Sequence, residues 1–83
     1  MPCIKYTTDT KIFIANGQTY TDCNSVIFYN TGTNPVNVDG VVLQQGQQLR
    51  IEGNENEKLV KVYPFQFSGA LVNELTVIYK IYI

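Results

Sequence analysis

Histidine and tryptophan are both missing from these 83 residues, cysteine appears twice, and six Lys and Arg face seven Asp and Glu. Each shortage removes a class of function. Without histidine the commonest general base is gone. Cys3 and Cys23 alone cannot make a four-ligand zinc site. Charged residues are 16% of the chain, against about 25% in an average soluble domain, and the net charge is −1. A nucleic-acid binder would therefore lack its main electrostatic term. No apolar run approaches the ~20 residues that span a bilayer, so no membrane partner is expected. Met1-Pro2-Cys3 carries neither a basic segment nor an apolar stretch, so no signal peptide is expected and synthesis is placed in a cytoplasm. Two buried free thiols are the reading that follows. A bridge between Cys3 and Cys23 would form only under oxidising conditions.

The remaining chemistry is sparse. Ser25 and Ser68 lack the setting of a nucleophile elbow. Asp9, Asp22, Asp39, Glu52, Glu55, Glu57 and Glu74 fall in turns, loops or wet-face positions rather than in a glycosidase-like pair. The six glycines stand singly at turns, so no phosphate-cradling loop exists. The run Glu52–Lys58 reads as a solvated acidic loop, without the ligand spacing of a calcium loop. No enzyme, cofactor or metal is expected.

What the chain does have is β-patterning. Asp39-Gly40, between Val36/Val38 and Val41/Leu43, is a strong hairpin signal, because a type I′ turn needs positive φ at both central residues. Gln45-Gly46 predicts a second turn, into the alternating strand Gln47–Glu52 with Leu49 and Ile51 on its dry face. Ser25–Asn30 is apolar on both faces and reads as a central strand. Cys3–Tyr6 predicts a first strand, Thr7–Thr10 a turn, and KIFIA-NG-QTYT a hairpin from Lys11 to Thr21. Leu59–Phe67 is interrupted by Pro64, which predicts a break, an edge or a bulge there. Leu75–Ile83 ends the chain on an apolar strand. No useful 3.6-residue period occurs.

These signals predict a single all-β domain over residues 1–83: a small antiparallel β-sandwich, jelly-roll-like, Ig-like or barrel-like, of seven to nine short strands. The predicted core is Ile12, Ile14, Val26, Phe28, Val41, Leu43, Leu49, Ile51, Val60, Val62, Val77 and Tyr79. A chain this short buries only about 60% of its unfolded surface, so added burial through assembly is expected, with a homo-oligomer among the options. Tyr63, Phe65, Phe67, Tyr79, Tyr82 and Ile83 are the interface candidates, because Tyr and Phe are enriched at protein contacts. Tyr6, Tyr20, Tyr29, Tyr63, Tyr79 and Tyr82 could alternatively form a sugar-stacking platform. Against that stands the ordinary use of tyrosine as a strand residue with its hydroxyl at the rim. A third reading is a β-domain that binds a protein by strand addition.

The run FYNTGTNPVNVDGVVLQQGQQLRIEGNENE, about a third of the chain, resembles a pattern in small structural proteins of tailed bacteriophages. In that pattern a strand ends in an N-x-G turn, a short hairpin follows, and a v-L-x-x-G-x-x-l-x-I strand closes it. It is similar to the auxiliary or decoration proteins on phage capsids, including those of crAss-like phages. The resemblance implies a virion location, other virion proteins as partners (the major capsid protein foremost), and a role in cementing or coating a shell. It does not reach the first 20 residues and carries no binding residue across.

Overall fold

The computed structural model describes residues 5–54 and 56–82. Eight strands occur among them: β1 (Tyr6–Phe13), β2 (Gly17–Cys23), β3 (Ser25–Asn30), β4 (Val36–Val38), β5 (Val41–Leu43), β6 (Gln48–Ile51), β7 (Leu59–Phe67) and β8 (Leu75–Tyr82). Sheet one has the order β1-β8-β3-β6 and sheet two the order β2-β7-β4-β5, with antiparallel pairing throughout. The pairs β1·β8, β2·β7, β3·β6 and β4·β5 are nested. The chain thus doubles back on itself at Asp39-Gly40 and rolls up into two sheets, which is the topology of a jelly roll.

The turn at the tip forms as the sequence predicts. Asp39 and Gly40 have φ of 48° and 92°, and the Asn37 side chain accepts the Gly40 N–H at 2.8 Å. Gln44 to Gln47 is also a turn: the Gln47 N–H donates to the Gln44 carbonyl at 3.0 Å, over Gly46 at φ 81°. It does not close a hairpin, however, because β5 belongs to sheet two and β6 to sheet one. The KIFIA-NG-QTYT hairpin is likewise overturned. β1 pairs with β8 and β2 with β7, and Asn16 sits at the crossing between sheets, accepting the Phe67 N–H at 2.8 Å. Local turn chemistry is satisfied either way, and burial between two sheets decides which partner each strand takes.

Two further expectations change. Thr7–Thr10 is strand rather than turn, since β-branched threonines sit well on a pleated surface; Cys3 and Ile4 lie outside the described residues. Pro64 does not break β7. The Asp39 N–H donates to the Pro64 carbonyl at 2.9 Å, and proline cannot return that bond. It stands where β4 ends, so its missing N–H removes little.

The core lies between the sheets. Val26, Phe28, Leu43, Val77 and Tyr79 are buried as expected, and Leu49 and Ile51 are partly covered. Ile12, Ile14, Val41, Val60 and Val62 are exposed instead. On β7 both faces are apolar, and the face that turns inward is the one carrying the larger rings, Tyr63, Phe65 and Phe67. On β1 the same competition sends Phe13 in, 4.7 Å from the Phe65 ring, and leaves Ile12 out. Phe28 lies 5.1 Å from Tyr63. Each such ring contributes roughly 1.5–3 kcal/mol by burial.

Three buried asparagines hold the loops. Asn30 donates to the Asn34 and Leu43 carbonyls at 2.8 and 2.9 Å and accepts the Gly32 N–H at 3.1 Å. Asn34 donates to Asn73 and accepts the Leu71 N–H at 2.9 Å. At the other end Asn24 donates to the Asn54 and Glu57 carbonyls and accepts the Tyr82 N–H. Gly32 is required here, because a Cβ would lie 2.6 Å from the Val72 carbonyl oxygen and the Glu74 nitrogen.

Candidate functional site

Alternation along the strands sorts the aromatic candidates. Tyr63, Phe65, Phe67 and Tyr79 share the inward parity and are buried, so they hold the sheets together and offer nothing to a partner. Burial pushes the Tyr63 and Tyr79 phenols up from their ordinary value; the Lys61 ammonium opposes this at Tyr63, and the Thr19 hydroxyl opposes it at Tyr79. Tyr82 has the opposite parity and stands on the outer face of sheet one, beside Tyr6 across the β1–β8 ladder. Ile83 lies outside the described residues. Tyr20 is exposed on the outer face of sheet two, and Tyr29 is half-buried on the outer face of sheet one.

Tyr6 and Tyr82 border a groove of about 320 Å³ on the outer face of sheet one. Ile27 and Ile78, directly paired across β3 and β8, give it an apolar floor. Thr8, Ser25 and Gly53 add small polar groups, and Arg50 and Glu52, 3.6 Å apart, form one side. The two tyrosine rings meet edge to face at 6.2 Å. The Lys80 ammonium lies over both, at 4.4 Å from Tyr6 and 5.0 Å from Tyr82. Such a groove can offer ring edges, two cations, hydroxyls and one carboxylate. The four strands that build it are far apart in the chain. Its one trace in the sequence is the second face of the last strand, Thr76, Ile78, Lys80 and Tyr82.

A second feature is apolar and exposed. Strand directions bring residues 14–16, 31–35 and 68–74 to one end of the sandwich, where Asn34 N–H meets the Val72 carbonyl at 2.9 Å. Ile14 and Leu71 project from that end at 70% and 74% exposure, with Val72 also exposed. Tyr20 and Val62, cross-strand neighbours, continue the pattern on the outer face of sheet two together with Val42 and Val60. Carboxylates are dispersed: Asp22 pairs with Lys58 at 3.3 Å and Asp39 with Lys61 at 2.7 Å. Among the described residues no three His, Cys, Asp or Glu side chains gather as metal ligands. Cys23 is a buried free thiol, pushed up by burial and by the neighbouring Asp22 charge. Comparison with protein-family models, with curated proteins and with solved structures finds no match to this chain.

Proposed function

We propose that this chain is a non-enzymatic structural protein of a virion, a capsid auxiliary or decoration protein that coats or stabilises an assembled shell through protein–protein contacts. The observation that carries the reading is the placement of large apolar side chains on the outside of a complete sandwich. Ile14, Leu71 and Val72 crowd one end, and Tyr20, Val42, Val60 and Val62 line one sheet. The core does not need them, and exposed apolar surface on a lightly charged protein marks a contact surface. Jelly rolls host capsid domains as well as lectins, which agrees by analogy only. The major capsid protein is the proposed partner, and the virion the proposed location after synthesis in the host cytoplasm. Attachment through such a surface changes little with ionic strength, because few charges take part. Gradient-purified particles from cells carrying the gene will contain the chain at the copy number of a shell component and keep it through a high-salt wash. Particles without it, or particles that shed it at moderate salt, overturn the proposal.

A second reading is favoured by the groove on sheet one. Tyr6, Tyr82 and Lys80 around an Ile27–Ile78 floor could seat a short glycan. Binding on a glycan array, abolished by Tyr82→Ala with the fold retained, would support it. No binding at all would remove it.

A further inference from the structure

We propose that two copies of this chain join through antiparallel pairing of β1 with β1 about a twofold axis at Thr10, extending sheet one into a continuous eight-stranded sheet. β1 is an edge strand of sheet one, and all of its side chains except Phe13 are exposed. The Tyr82 N–H and the Lys80 carbonyl are both aimed at the Asn24 end of β3. Even-numbered residues of β8 therefore face β3, and odd-numbered ones face β1. From the register it follows that Tyr6, Thr8, Thr10 and Ile12 carry the backbone groups at the open edge.

The charges on this strand select the partner. Asp9 and Lys11 have the core-facing parity, opposite Tyr79 and Val77. With Tyr20 and Asp22 of β2 they line a small cavity of about 170 Å³ at the open side of the sandwich. Inward-pointing charges on an edge strand discourage pairing with an arbitrary strand, which would have to cover them without a counter-charge. A second copy supplies that counter-charge. Centred on Thr10, antiparallel pairing sets Asp9 opposite Lys11 of the second copy, and Lys11 opposite its Asp9. The same register pairs Thr8 with Ile12 and brings Tyr6 alongside Ile14, so three exposed apolar side chains gain cover. Opposite charges directly across a ladder stabilise it, and like charges oppose it. This inference deepens the assembly reading and rests on it only in treating exposed apolar residues as contact surface.

The test is the mass of the full chain in solution across a concentration series. Wild type is expected to run at twice the mass of one chain. Asp9→Lys alone and Lys11→Asp alone each set like charges opposite one another and are expected to give monomers. The combined Asp9→Lys, Lys11→Asp variant restores the match and is expected to recover the dimer. Circular dichroism on each variant checks the fold. In a Cys3→Ser background, Thr10→Cys is expected to cross-link under mild oxidant, while Gln18→Cys on the β2 edge is not. A wild-type monomer at every concentration overturns the pairing, as does a charge swap that fails to rescue or a Thr10→Cys chain that stays uncrosslinked. A monomer that still co-purifies with virions overturns the pairing alone; a dimer absent from virions overturns the shell reading alone.

Discussion

The hydroxyls of Thr19 and Tyr79 hydrogen-bond to each other inside the core, tying β2 of sheet two to β8 of sheet one. Tyr79→Phe leaves the Thr19 hydroxyl buried without that partner, at a cost of about 1–3 kcal/mol. Thr19→Val combined with Tyr79→Phe is expected to cost less than the sum of the single changes. Urea midpoints of the four proteins in the cycle give the coupling directly.

Stability will fall in alkali. The Tyr63 and Tyr79 phenols and the Cys23 thiol all have folded-state pKa values raised chiefly by burial. Their contribution is complete below the unfolded values, near 9.0 for the thiol and 10.0 for the phenols. Above these the unfolded chain releases protons that the folded chain keeps, so stability declines until the folded values are passed. A denaturation midpoint flat at neutral pH and dropping through this range is expected, with a shallower drop in Tyr79→Phe.

Core and rim substitutions should separate stability from assembly. Phe28→Ala removes a fully buried ring and is expected to cost about 3–5 kcal/mol. For a domain of this length that is at least about a quarter of the total, at roughly 0.05–0.15 kcal/mol per residue. Leu71→Glu changes a side chain 74% exposed and should move stability by less than about 0.5 kcal/mol. Particle attachment should nevertheless fall sharply in Leu71→Glu.

Asn30→Ala strips the side-chain amide from the Asn34 and Leu43 carbonyls together, while the Gly32 N–H keeps its bond to the Glu74 carbonyl. The expected loss is about 2 kcal/mol or more, since each buried group left unpaired costs roughly 1–3 kcal/mol. Asn37→Ala, at the exposed turn where it accepts the Gly40 N–H, should cost about 1 kcal/mol or less. Hydrogen exchange at Gly32 and Leu71 would place the loosening at that end of the sandwich.

Signals within a few residues of one another were legible in the sequence. Positive φ at Asp39-Gly40 and the central position of β3 are local or follow from one strand's composition. Partner choice was not legible. Asn16-Gly17 looks like a hairpin turn, yet it crosses between sheets because β8 and β7 are the better-buried neighbours. Face choice failed where both faces were apolar, at Val60 and Val62 against Tyr63 and Phe65, because ring size is not part of an alternation pattern. The Tyr6–Tyr82 groove needs the register of four strands, which no single stretch encodes.

The nested pairing also governs how the molecule can be made. β8 lies between β1 and β3, so nothing joins β1 to the rest of sheet one until residues 75–82 leave the ribosome. Tyr6 waits for Tyr82, the most distant partner in its ladder. Topologies dominated by such distant contacts fold slowly, in milliseconds to seconds. Throughout synthesis the nascent chain presents β3 and β6 with one flank uncovered. A chain stalled before Leu75 is a template for aggregation rather than a smaller version of the fold, and removing the last strand should abolish folding altogether.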